Sequence, residues 1–276
     1  MKTAQKVLFT DLDGTLLDDE KQISGENRKC IEQAVAMGHK VVLSSGRAAQ
    51  SVYKQVRKLG LDRQGCYAIA FNGAVVMQCD TGEPLYELGL EPELVRYLFR
   101  EAGKAGIHCQ TYQDGYTLAE RQSEVLEYYD RSTQGVSKVV PDVCKILTTR
   151  PPKVLLADLA HSGKLEEFRK THEEKLTGKA EATFSCPEYL EYLPPGVNKG
   201  YALVWLCDYL HIPRANSVAA GDEANDLSMI RAAGVGAAMV NGVEALKAEA
   251  DYITQADNNH DGLAEILRRF ILEEIW

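Results

Sequence analysis

Short apolar runs alternating with amphipathic stretches set the rhythm of this chain. Residues 6–10 read as a buried strand, and Ser24 caps a predicted helix whose apolar positions Cys30, Ile31, Ala34 and Val35 share one face before Gly38 stops it. Val41-Val42-Leu43 forms the next predicted strand. A helix with Val52, Val56 and Leu59 on one stripe follows and ends at Gly60. Strands at 67–71 and 75–78 flank Asn72-Gly73, the composition of a two-residue hairpin turn.

From about residue 85 the pattern changes. Pro92 opens a helix bearing Leu94, Val95, Leu98 and Phe99, and segments 107–111 and 116–119 read as a hairpin around Gln113-Asp114-Gly115. A strand at 154–158, a charged helix through Leu165, Phe168 and Leu176, and a strand at 189–193 complete this stretch. Hairpins here replace strand–helix alternation, which predicts an inserted α+β unit. Alternation then returns: helices at 198–211, 225–233, 243–250 and 263–275, with strands at 216–220, 236–240 and 252–254. Strands alternating with helices imply a parallel sheet covered on both faces.

Size and charge narrow the function. At 276 residues and 45% hydrophobic content, the chain can bury one substantial core and a smaller second one. The net charge of -9 and the absence of any block of Lys or Arg argue against a nucleic-acid partner. No apolar run approaches the ~20 residues that span a bilayer, so no membrane partner is expected. The first residues lack the apolar region and small-residue cleavage site of a secretory signal. The seven cysteines (Cys30, Cys66, Cys79, Cys109, Cys144, Cys186, Cys207) are scattered and read as reduced thiols of a cytoplasmic protein, for which a monomer is the expected state. His108, His161, His172, His211 and His260 lack the spacing of a zinc site. Gly234 and Gly236 read as a tight turn, because no third glycine completes a dinucleotide fingerprint.

The chemistry lies where strands end. Asp11 follows the first strand, Ser45 the second, and Asp222 the strand at 216–220. In an open α/β sheet, ligands bind at the carboxyl ends of strands, so three distant segments are expected to converge. Asp11-Leu12-Asp13-Gly14 puts two carboxylates two residues apart. An EF-hand is excluded, since the twelfth residue from Asp11 is Gln22 and a strand precedes the loop. Hydrolysis of a phosphate monoester requires an anionic nucleophile to approach an anion and an alkoxide to leave. Magnesium held by Asp11 and Asp222 answers the first difficulty, and a proton from Asp13 the second. Gly14 lets the backbone turn tightly, and Thr15 can hydrogen-bond nearby. Ser45 and Lys199 stand at predicted helix starts, which suit an anion. The covalent step expected is an aspartyl-phosphate on Asp11, hydrolysed by water with Asp13 as base. Arg47 either caps its helix or touches substrate, and Asn72-Gly73 is chiefly a turn that can also face a ligand.

Asp11-Leu12-Asp13-Gly14-Thr15-Leu16, Ser45-Gly46-Arg47, Asn72-Gly73-Ala74, Asn198-Lys199-Gly200 and the run from Gly221 to Asp226 together resemble the haloacid dehalogenase superfamily, and within it the Cof-type phosphatases with a type IIB cap. The likeness extends to Ala250-Asp251-Tyr252-Ile253-Thr254 and Asp261-Gly262-Leu263. It implies a Rossmann-like catalytic core at residues 1–84 and 191–276 and a specificity-setting cap at 85–190. By the same resemblance Asp11 would be nucleophile and magnesium ligand. Asp13 would be acid/base, with its backbone carbonyl on the metal. Ser45, Gly46, Lys199 and Asn225 would surround the phosphoryl group, Asp222 would hold magnesium, and Asp226 would orient Lys199. Two departures are mild: Ser45 stands where threonine is common, and Glu223 occupies a variable position. The expected activity is magnesium-dependent hydrolysis of a small phosphorylated metabolite, a sugar phosphate first. The rivals are a phosphomutase or phosphotransferase, and a non-catalytic ligand-binding protein on the same fold. The tyrosines Tyr112, Tyr116, Tyr128 and Tyr129 are assigned to cap core and surface, with the alternative that some of them line the substrate pocket.

Overall fold

The computed structural model describes residues 4–133 and 135–273. Five strands, β1 (Val7–Thr10), β2 (Lys40–Ser44), β3 (Tyr67–Ala70), β4 (Val75–Gln78) and β5 (Pro84–Glu87), belong to one sheet. The next six, β6 (His108–Gln113), β7 (Tyr116–Ala119), β8 (Ser137–Val139), β9 (Val154–Ala157), β10 (Glu181–Cys186) and β11 (Tyr189–Leu193), form a second. The last three, β12 (Ser217–Gly221), β13 (Val235–Ala238) and β14 (Tyr252–Ile253), return to the first, whose order is β14-β13-β12-β1-β2-β3-β4-β5.

β1 is central and wholly buried, paired in parallel with β2 and β12. Its side chains alternate: Val7 and Phe9 join a cluster with Leu203, Leu206, Met229 and Ile230, while Leu8 joins another with Ile31, Val52, Val56 and Leu263. The sheet is therefore sandwiched by helices on both faces, as the continuous apolar strands require. Only β4 runs against the other strands; β5, antiparallel to it, resumes their direction and extends the sheet at one edge.

The insert is α+β, its sheet ordered β10-β11-β9-β6-β7-β8. Val154 and Leu156 of β9 point to a cluster with helices Pro92–Ala105 and Lys164–Leu176. Leu155 and Ala157 point the other way and join Tyr112, Tyr129 and Phe71 in the cluster that also contains Leu8. The chain passes between the sheets after Glu87 and after Leu193, three residues beyond each boundary expected from sequence. β11 is an insert strand because Glu191 and its neighbours register with β9 and β10.

Four further differences have local causes. The turn after β3 is not two residues long: Ala70 pairs with Val75, leaving 71–74 as the connection, with Phe71 and Asn72 both at positive φ. Strand β10 and helix Glu124–Thr133 escaped the sequence reading because Ser, Thr, Cys and Tyr dilute their apolar pattern. The helix expected at 243–250 is one turn, Glu244–Lys247. The terminal helix opens as Gly262–Ile266 and widens into a π-helical turn, Leu267–Leu272; its expected last residues, and the three N-terminal residues, lie outside the described ones. No helix among the described residues is long and apolar enough to cross a membrane.

Candidate active site

Parallel pairing puts the ends of β1, β2 and β12 side by side. The Asp11 N–H, just past β1, donates to the Ala220 carbonyl at 2.9 Å, and the Ser45 N–H to Ile69 at 3.0 Å. Asp222 follows β12 directly. The convergence read from topology is thus present in the geometry.

Lys199 begins helix Lys199–Tyr209, whose N-cap Asn198 accepts from the Tyr201 N–H at 2.8 Å. Its fully buried ammonium reaches Asp11 Oδ1 at 2.6 Å and Asp226 Oδ1 at 2.5 Å. The other Asp226 oxygen accepts from the N–H groups of Asp222 and Glu223, at 2.9 and 3.1 Å. Thr15 Oγ1 donates to Asp222 Oδ1 at 2.8 Å. Gly14 stands at φ +76, and a Cβ there would lie 2.2 Å from Asp222 Oδ2. Only glycine permits that approach. Asn241, unremarked in the sequence, fixes the same turn by donating to the Gly14 carbonyl at 2.8 Å.

Carboxylate oxygens of Asp11, Asp222 and Asp226 lie within 4.8 Å of one another. One ammonium faces three buried carboxylates, and the imbalance shows in their proton affinities. Burial, outweighing the pull of Lys199 and reinforced by Asp226 and Asp13, pushes Asp11 up to about 7. Asp222 is driven well above the usual carboxylate range by burial and by repulsion from Asp11 and Asp226. Lys199 moves up, because Asp11 and Asp226 overcome its desolvation. Asp226 is already committed to Lys199 and two N–H groups, so Asp11 and Asp222 are the carboxylates with capacity for a hard divalent cation. The residues present fit such an ion.

Asp13 points elsewhere. Arg47 grips it with two bonds of 2.6 Å, Nε to Oδ2 and Nη2 to Oδ1, and Lys21 reaches Oδ1 at 2.8 Å. Burial favours protonation of Asp13, but the Arg47 bonds and charge, with Lys21, overcome it and hold the carboxyl below its ordinary range. Ser45 Oγ accepts from the Arg47 N–H at 3.2 Å. Lys21 was not singled out from sequence, since its reach depends on the loop that returns it over Asp13.

These groups open into a cavity of about 280 Å3, which includes Asp11, Asp13, Ser45, Gly46, Arg47 and Asn225. Its insert wall comprises Tyr128, Tyr129, Ser185, Glu188, Tyr189 and Glu191. A larger cavity, about 500 Å3, runs alongside past Gln50 and Tyr112, but none of the motif carboxylates or cations reaches it. Asn72 and Gly73 do not line the smaller cavity. Asn72 is buried between Asn225 and Glu191, accepting from Asn225 Nδ2 at 2.9 Å and donating to Glu191 Oε2 at 2.5 Å. A Cβ on Gly73 would sit 2.3 Å from the Asn198 carbonyl oxygen, so this glycine serves packing on the Lys199 helix. Asn225 spends one N–H of its amide on Asn72, which orients the group and leaves the second N–H for a phosphoryl oxygen.

Three charged residues of the insert wall went unnoticed in the sequence, Lys153, Glu188 and Glu191. A signal existed for Glu191: in Tyr-Leu-Glu-Tyr-Leu it alternates with Leu190 and Tyr192, which face the insert's own apolar cluster. Its side chain must therefore face the other layer.

Comparison with known proteins places this geometry. A sequence profile of the haloacid dehalogenase-like hydrolases matches residues 8–267. YxeH of Bacillus subtilis (strain 168), which carries a phosphatase name, is 32% identical over 97% of this chain and 98% of its own. YcsE of the same organism, named 5-amino-6-(5-phospho-D-ribitylamino)uracil phosphatase, is 29% identical over 97% of this chain and 96% of its own. A haloacid dehalogenase-like hydrolase from Bacteroides thetaiotaomicron superposes with a TM-score of 0.87 at 31% identity, covering 96% of this chain and 99% of the other. With the profile spanning nearly the whole chain and the α+β insert between two halves of the parallel sheet, this protein belongs to the haloacid dehalogenase-like hydrolase family.

Proposed function

We propose that this phosphatase hydrolyses a small phosphorylated metabolite through a covalent intermediate on Asp11, with a magnesium ion held by Asp11 and Asp222 and by the Asp13 carbonyl. The observation that carries the proposal is the buried array Asp11–Lys199–Asp226 with Asp222 alongside. It concentrates negative charge where a divalent cation and a transferring phosphoryl group would offset it. When bound, magnesium supplies charge neutralisation and polarisation of a phosphoryl oxygen.

The chain's own groups do the rest. Lys199 neutralises Asp11 and fixes its carboxylate, while Ser45 and the Gly46 N–H at the end of β2 receive the phosphoryl oxygens. Asp11 attacks phosphorus, the ester P–O bond breaks, and the leaving oxygen takes its proton from Asp13. Water then attacks the aspartyl-phosphate with Asp13 accepting its proton, freeing inorganic phosphate and the Asp11 carboxylate. Asp13 in its Arg47 and Lys21 clamp is poised for this second, basic role. Its acidic role requires the substrate phosphate to draw those two cations toward itself.

The leaving group is a neutral polyol or sugar. The cavity offers the Tyr128 hydroxyl and the acceptor oxygens of Ser132, Thr133 and Ser185, whose protons go to Tyr129 and Glu191, and its cations are already matched: Arg47 and Lys21 with Asp13, Lys153 with Glu191. A second phosphate on the substrate would find no such partner among the described residues of the cavity. The naming of a relative for a phosphoribityl substrate agrees with this chemistry. The protein works as a cytoplasmic monomer on this reading, in keeping with seven free thiols. A screen of phosphorylated metabolites with magnesium tests it. Release of inorganic phosphate from a polyol or sugar monophosphate is expected; isomerisation without release would establish a mutase instead.

A further inference from the structure

We infer that Lys153 and Glu191 are positioning residues for the phosphate-binding loop, an ion pair that the insert plants against the ends of β2 and β3; this rests on the phosphatase reading above. The two side chains are 1% and 3% exposed, and Lys153 Nζ lies 2.9 Å from Glu191 Oε1. From this pair, two bonds cross into the catalytic layer. Lys153 donates to the Gly46 carbonyl at 2.7 Å, and Asn72 donates to Glu191 Oε2 at 2.5 Å. Ser185 steadies the pair from within the insert, its hydroxyl donating to Glu191 Oε1 at 2.7 Å. The ammonium also lies 5.3 Å from the Tyr112 ring centre and 5.9 Å from that of Phe71.

Those bonds end on groups that define the site. Gly46 separates Ser45 from Arg47, the partner of Asp13. The Asn72 N–H donates to the Ser45 carbonyl at 3.0 Å, and its amide oxygen accepts from Asn225 of the loop that carries Asp222. Two separate catalytic loops are thus referenced to one charge pair on the other sheet.

Stability does not account for the pair. Desolvating two charges is costly, and an apolar pair of similar volume often holds two layers together at least as well. An apolar pair cannot bond the Gly46 carbonyl or the Asn72 Nδ2 group, and each would lose the bond that ties it to the insert. Neither charge need touch a reacting atom for this effect. They act through Ser45, Arg47 and Asn225.

The test uses the full-length enzyme with magnesium and p-nitrophenyl phosphate. The double variant Lys153→Met/Glu191→Leu removes both charges and keeps volume. The fold is expected to survive with a melting temperature close to wild type, the lost bonds to Gly46 and Asn72 offsetting the relief of desolvation, while kcat/KM falls about 10- to 100-fold and inhibition by inorganic phosphate weakens in parallel. A double variant that retains kcat/KM and phosphate inhibition within about twofold overturns the inference. If it does not fold, Glu191→Gln carries the test: it keeps shape but replaces one acceptor oxygen by an NH2 that must face either Asn72 Nδ2 or the Lys153 and Ser185 donors, so unchanged turnover there is equally fatal. A wild-type enzyme inert toward phosphate esters sinks the phosphatase reading itself, a result distinct from an active wild type beside unaffected variants.

Discussion

Arg47 holds Asp13 by a two-pronged contact in which both bonds are 2.6 Å long. The residue proposed to give and take a proton is therefore held below the ordinary carboxylate range by a neighbour from the next loop. Sequence alone left Arg47 between a helix cap and a substrate contact. The structure assigns it a third partner, the carboxylate itself.

Replacing Arg47 by Ala should shift the pH profile as well as the rate. Arg47 contributes most to keeping Asp13 below its ordinary range, so its loss raises the Asp13 pKa, and Lys21 compensates only in part. The acid limb of kcat, where Asp13 acts as base in the hydrolysis of the aspartyl-phosphate, should move toward neutral pH, with a fall of about 10- to 100-fold at the optimum. An acid limb that stays in place would show that Arg47 does not govern this charge.

Asp11→Asn should reduce turnover of p-nitrophenyl phosphate by roughly three orders of magnitude or more, since the nucleophile is removed and not merely misplaced. The same variant reads out charge crowding. The folded-state pKa of Asp11, about 7, is raised above its unfolded value, so the native state binds the extra proton and stability declines as pH rises from about 4 toward 7. Metal-free wild type should thus melt lower at pH 8 than at pH 5.5, and Asp11→Asn should soften that decline. Magnesium should raise the wild-type melting temperature more at pH 8, where protons no longer compete. Identical magnesium shifts at the two pH values would contradict the assignment of Asp11 as a ligand.

Lys199→Met strands Asp11 and Asp226 in a buried site with no cation. Breaking a buried pair in this way costs about 3–5 kcal/mol. Urea unfolding of the metal-free variant measures it, and a loss under about 1 kcal/mol would mean that water or relaxation reaches this lysine pocket.

Gly14→Ala tests the metal cradle. A Cβ at φ +76 is strained, and 2.2 Å from Asp222 Oδ2 it must displace that carboxylate. Magnesium affinity should fall by an order of magnitude or so, read from the concentration that half-restores activity after chelation. Unaltered affinity would remove Asp222 from the metal site.

Much of the site was legible because its parts sit at punctuation marks. Asp11, Ser45 and Asp222 each close an apolar run that reads as a central strand, and strand ends in a parallel sheet share one edge. Lys199 follows a capping Asn at a helix start. What remained hidden depends on register between distant segments. Lys153 and Glu191 meet only because β9 pairs with β11, and Lys21 meets Asp13 only because its loop folds back. Asn72 misled for a different reason. Asn-Gly is common in tight hairpins, but here the asparagine is buried and its amide is used across the layers, which lengthens the turn to four residues.

The rings of Phe71 and Tyr112, 5.1 Å apart, stitch the two sheets into one continuous oily seam beside the reaction chamber. Swinging the insert away would wet that seam, so the resting balance favours the shut form. A solvent additive that loosens greasy contacts is therefore expected to part the seam before it harms the chemistry, and turnover that rises at low additive would mark that parting as the slow step.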